Sequence, residues 1–180
     1  MKSENLCRAI AVLLSLFCFS CETFEEDNYP VSAKIDGVVY ESRGGLLQLH
    51  DVNAQLYQFE DGFTIFLSRT IYHGDTPLSL GIYASPEGYW KLDRKYPVVA
   101  HRETYITRFY GDSIVCQYAK SGWLMLTDTT TRSGNLMLSG EFEIVFEGQD
   151  DNEETILTEG RFNSIPFYFS KQSTAKYDYL

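Results

Sequence analysis

Asn135-Leu136-Met137-Leu138-Ser139-Gly140-Glu141-Phe142-Glu143-Ile144-Val145-Phe146-Glu147 is the stretch that decides the fold. Leu136, Leu138, Gly140, Phe142, Ile144 and Phe146 fall on one side of an extended chain. Asn135, Ser139, Glu141, Glu143 and Glu147 fall on the other, and only Met137 and Val145 break the alternation. A period of two is expected when one face of a strand packs on a core and the other meets water. Wound as a helix, the same segment would scatter its apolar side chains around the axis.

The pattern recurs outward from this stretch. Val31–Ile35 and Val38–Ser42 flank Asp36-Gly37, a two-residue hairpin turn whose glycine accepts positive φ. Ala54–Phe59 and Phe63–Ile71 flank Glu60-Asp61-Gly62. Leu78–Tyr83 follows Gly74-Asp75-Thr76-Pro77, and Tyr89–Leu92 follows Ser85-Pro86-Glu87-Gly88. Thr104–Tyr110, Ser113–Ala119 and Trp123–Asp128 are divided by Gly-Asp and Lys-Ser-Gly turns, and Thr155–Phe162 and Pro166–Phe169 close the series. Roughly ten strands joined by short turns predict an all-β domain with antiparallel neighbours. An antiparallel β-sandwich is the expectation, and a closed antiparallel β-barrel is the alternative. Residues 31–169 form a single domain, with no long linker or repeat inside it, and 170–180 form a polar tail.

The beginning of the chain reads differently. Lys2 and Arg8 stand around a short basic start, and an apolar run follows from Ala9 to Phe19. That run is well short of the ~20 residues needed to cross a bilayer as a helix, and it has the make-up of a secretory signal. Leu16-Phe17-Cys18-Phe19-Ser20-Cys21 resembles the end of a bacterial lipoprotein signal. The resemblance implies a signal peptide over 1–20, cleavage before Cys21 and lipid attached to Cys21. Residues 21–30, with Glu22, Glu25, Glu26 and Asp27, read as an acidic tether. Several acyl chains on one cysteine make a stable anchor where a single chain binds only marginally.

Charge narrows the partners. The formal net charge is −10, and loss of a leader carrying Lys2, Glu4 and Arg8 makes it more negative. Such a surface is repelled by phosphate backbones and anionic lipid heads, so nucleic acid is not an expected partner. The expected membrane link is the covalent lipid. Cys116 is the one cysteine outside the leader and anchor, so the domain is expected to lack an internal disulfide. Its alternation with Ile114 and Tyr118 reads as a lone buried thiol.

Ala33-Lys34-Ile35-Asp36-Gly37, Tyr89-Trp90-Lys91-Leu92, Leu138-Ser139-Gly140-Glu141-Phe142-Glu143-Ile144 and Thr158-Glu159-Gly160-Arg161-Phe162 together resemble small outer-membrane lipoproteins of uncharacterised all-β families abundant in Bacteroidetes. The resemblance covers most of the chain after the leader and rests on turn and core residues. Acid after the lipidated cysteine resembles an export signal for the outer face of the outer membrane. The resemblance implies an address and a fold, and no catalytic residues.

Motifs for chemistry are sparse. His50, His73 and His101 are far apart, without H-x-H or H-E-x-x-H spacing, and no cofactor or metal is expected. Gly111-Asp112-Ser113 reads as a hairpin turn, because no histidine follows it to serve a serine nucleophile. Glu147 to Glu154 reads as a solvated hairpin tip whose spacing does not match a calcium loop. Aromatic residues in the middle third are the constructive hint. Tyr89, Trp90 and Tyr110 are the candidate ligand-binding residues, as rings that stack on sugars or anchor a protein. The expected function is a non-catalytic, lipid-anchored, surface-exposed binding or accessory module with a glycan or protein ligand. A small-molecule carrier with a barrel cavity and a fimbrial or other structural subunit are the alternatives.

Overall fold

The computed structural model describes residues 31–43, 53–110, 113–132, 134–148 and 154–171. Ten strands make up this part of the chain: β1 Val31–Ile35, β2 Val38–Glu41, β3 Asn53–Gln58, β4 Phe63–His73, β5 Thr76–Ala84, β6 Lys95–Pro97, β7 His101–Tyr110, β8 Ser113–Arg132, β9 Asn135–Phe146 and β10 Thr155–Lys171. The architecture is all-β, as the alternation predicts, and all ten strands belong to one sheet. Among the described residues no helix is long and apolar enough to cross a membrane.

The pairings return on themselves. β4 pairs with β5, β5 with β7, and β7, β8, β9 and β10 follow in turn; β10 pairs with β3, and β3 returns to β4. A second path leads from β10 through β1 and β2 to β4. One pairing corrects the expectation of antiparallel neighbours throughout. β3 and β10 run parallel, Tyr168 opposite Gln55 and Lys171 opposite Gln58, so the sheet is mixed. These strands are distant in sequence, and no hairpin fixes their relative direction.

The long β9 strand behaves as its alternation requires, with Leu138, Gly140, Phe142, Ile144 and Phe146 buried. Its partner β10 shows how the inward face is kept over a strand of 17 residues. Leu157, Gly160, Phe162, Ile165 and Phe167 all point inward, although their spacing is not two throughout. Register shifts between Leu157 and Gly160 and between Phe162 and Ile165 supply the extra residues. Glu159 and Ser164 lie there at φ 49° and 48°. These are bulges, which bend a strand and reset its facing.

Two glycine–phenylalanine pairs lock β9 to β10. Gly140 faces Phe162 and Phe142 faces Gly160, so each ring lies over the opposing glycine. A Cβ on Gly140 would stand 2.5 Å from Phe162 and 2.4 Å from the Met125 carbonyl oxygen; one on Gly160 would stand 2.4 Å from the Phe142 ring. The two rings stack at 6.4 Å between centroids. Gly81 under Tyr105 repeats the device between β5 and β7. Burying each large side chain contributes about 1.5–3 kcal/mol, and removing the Cβ from one partner is what lets two strands share the space.

The first hairpin forms as predicted. Asp36 and Gly37 both take positive φ, 50° and 81°, the pair of values that a type I′ turn demands. Elsewhere local breaks in the sequence are not ends of strands. Lys120-Ser121-Gly122 is a bulge inside β8, because the register against β9 shifts between Ala119 and Ser121 and pairing then continues. Tyr89–Leu92, predicted as a strand, belongs instead to the connection between β5 and β6. The buried Tyr96 explains this: the Lys91 N–H donates to its hydroxyl at 2.7 Å, and the hydroxyl donates to the Lys91 carbonyl at 3.3 Å. Backbone groups that would extend a ladder are thereby bound to a side chain.

Cys116 is exposed, which corrects the expectation of a buried thiol. On β8 the inward positions are Gln117 and Ala119, so Ile114, Cys116 and Tyr118 share the outer face. Maleimide treatment of the native protein followed by peptide mapping is expected to label Cys116 without denaturant. Labelling only after unfolding would contradict this placement.

Candidate functional site

Among the described residues two concavities carry polar side chains on an apolar background. The first lies where the Asp36-Gly37 and Gly74-Asp75 turns and the end of β7 come together. It is a depression of about 200 Å³ lined by Ile35, Val38, Tyr40, Thr76, Leu78, Phe109 and their neighbours. Arg108 enters it because it continues the inward parity of Thr104 and Ile106 along β7.

Arg108 is held by an extended polar network. Its Nη2 donates to Asp36 Oδ2 at 3.3 Å and to Thr155 Oγ1 at 3.4 Å. Thr155 Oγ1 donates to Gln117 Oε1 at 3.1 Å, and Gln117 Nε2 donates to the Glu147 carbonyl at 3.1 Å. Asp36 Oδ1 accepts the Ile156 N–H at 2.9 Å. Thr155 and Gln117 are buried, so each needs the bonds it makes. The Arg108 side chain is 26% exposed, while its Nε is buried and bonded to nothing.

The second concavity is a shallow groove of about 300 Å³ on the outer face of β8, β9 and β10. Trp123 and Glu143, direct register partners, form one wall, with Val145, Ile156 and Thr158 beyond them. The Trp123 Nε1–H donates to Glu143 Oε2 at 3.1 Å, and Lys95 Nζ lies 3.6 Å from the indole centroid. An indole beside a carboxylate and a hydroxyl can stack on the face of a sugar ring and bond its hydroxyl groups. Gly122 lies in the lining of the groove, and β8 approaches β9 so closely there that a Cβ would meet the Glu143 carbonyl oxygen at 2.6 Å.

The residues singled out in the sequence do not converge. Tyr89 is 65% exposed and Trp90 packs against the core, both on the connection that Tyr96 pins. That connection is at the Gly62 end of the sheet, where Gly62 bridges to Glu87. Tyr110 closes β7 at the opposite end, opposite Ser113. The three therefore form no common platform. Cys21, the tether and Asp112 lie outside the described residues, as do residues 149–153 of the acidic tip. Glu154, at the edge of that tip, binds Lys120 at 2.6 Å and holds its amino group above the ordinary lysine value.

His73 turns its Nδ1 to the Val39 carbonyl at 3.0 Å and packs its ring on Tyr40. Among the described residues no three His, Cys, Asp or Glu side chains are grouped to hold a metal ion. Neither Arg108 nor Trp123 was marked out by a sequence motif. The available signals were parity from Ile106 for the first and the Trp123–Glu143 register for the second, and the register needs the bulge at Lys120-Ser121 to be known. No family model, curated protein or solved structure matches the chain.

Proposed function

We propose that this chain is a lipid-anchored, non-catalytic protein of the bacterial outer membrane, facing outward and acting as a binding module. The observation that carries the proposal is the order of the first forty residues: an apolar leader, Cys21, an acidic tether and then β1. β1 runs from Val31 to the Asp36 turn, so the Arg108 depression is at the end of β1 away from the tether. At about 3.3 Å per residue this strand alone separates them by roughly 16 Å.

The closed circuit of pairings supports the barrel alternative over two separate sheets. Its interior is occupied by Phe63, Phe142, Phe146, Phe162 and their neighbours, which supports binding at the surface over carriage of a molecule in a central cavity. A glycan is the ligand class that the Trp123 groove favours. Protease treatment of intact cells tests the placement, with Cys21→Ala and a periplasmic marker as controls. Cleavage of the domain with the marker protected is the expected result; protection until lysis would overturn the outward orientation. Glycan arrays then test the ligand, and Trp123→Ala is expected to abolish any sugar binding found.

A further inference from the structure

We infer that the Arg108 depression is a binding site for a small neutral molecule that carries a carbonyl group on a short apolar body. The inference does not depend on the lipid anchor or on the Trp123 groove.

The walls set the body of the ligand. Ile35, Val38, Leu78 and Phe109 are apolar, and Val38 and Phe109 stay 41% and 40% exposed at the rim. Exposed apolar side chains around a concavity gain by covering, at roughly 25 cal/mol per Å² removed from water. The Arg108 guanidinium sets the polar group. It has five N–H donors, and its hydrogen bonds all come from Nη2, at 3.3 and 3.4 Å, long for such bonds. Among the described residues Nη1 makes no hydrogen bond, and it is not among the buried unpartnered atoms, so it keeps contact with solvent on a side chain that lines the depression.

Charge decides between an anionic and a neutral acceptor. Asp36 already neutralises Arg108, and the chain carries a formal net charge of −10. Asp75 on the neighbouring turn is paired with Arg43 at 2.8 Å, and among the described residues Arg108 is the one cation in the lining of the depression. A ligand carboxylate would therefore compete with Asp36 for Arg108 and leave one negative charge uncompensated, while a neutral carbonyl accepts an N–H without that competition. An amine would gain long-range attraction but would place donors against the donors of Arg108.

The test is a two-dimensional NMR titration of the full chain with hexanamide, hexanoate and hexylamine. Hexanamide is expected to give saturable shifts at the Leu78, Arg108 and Phe109 amides. Hexanoate and hexylamine are expected to bind about three- to tenfold more weakly, the equivalent of one hydrogen bond. Arg108→Met is expected to weaken hexanamide by a similar about three- to tenfold factor. Phe109→Ala, at an exposed position that does not threaten the fold, is expected to weaken it about threefold through lost apolar contact. Absence of saturable shifts at these amides, tighter binding of hexanoate or hexylamine, or affinity unchanged in both variants would each overturn the inference.

Discussion

Phe142→Ala is expected to cost about 3–5 kcal/mol of stability, the range for deleting a buried aromatic ring from a packed core. The ring is fully buried, stacks on Phe162 and fills the space that Gly160 leaves on the opposing strand. No neighbour can collapse into that space without moving β9 or β10, whose pairing runs from Thr155–Phe146 to Phe167–Leu136. Denaturant unfolding checks it: the midpoint should fall by the full amount while the slope is kept. A loss below about 1 kcal/mol would mean that the ring is not packed as described.

The second large effect runs in the opposite steric direction. Gly160→Ala puts a methyl group 2.4 Å from two carbons of the Phe142 ring and 2.6 Å from the Phe142 carbonyl oxygen. Overpacking of this kind costs about 1–3 kcal/mol, and a backbone atom among the contacts favours the upper part of that range. If the ring is the principal obstacle, Phe142→Leu in the same chain should recover part of the loss. A double-mutant cycle over Gly160→Ala and Phe142→Leu is expected to show an interaction energy of about 0.5 kcal/mol or more. Strict additivity would show that the glycine is required for some other reason.

These pairs also explain what could be read from the sequence alone. Gly140-Glu141-Phe142 and Gly160-Arg161-Phe162 are the same three-residue pattern on two strands, and antiparallel register brings each glycine to the other's phenylalanine. Strand character was legible in both because it depends on local alternation. Their reciprocal fit was not, since it depends on the register between strands. The Asp36-Gly37 turn was legible for a local reason too, as both residues supply the positive φ that the turn needs.

The structure departs from the local pattern where a distant partner overrides it. The Tyr96 hydroxyl draws the Lys91 backbone out of a ladder, and bulges carry β8 and β10 through segments that look like turns. Cys116 faces outward because the inward place beside it belongs to Gln117, whose bonds to Thr155 and Glu147 offset its burial. Arg108 stayed hidden for the same reason. An arginine on the inward face looks anomalous in sequence until Asp36 is found opposite it, 72 residues away.

The account of function turns on the anchor, and intact mass analysis of the protein purified from the membrane fraction tests it most directly. The account predicts an amino terminus at Cys21 carrying acyl chains, with loss of both the added mass and membrane retention in Cys21→Ala. A mature protein that begins at any other residue, or that carries no lipid on Cys21, would contradict it.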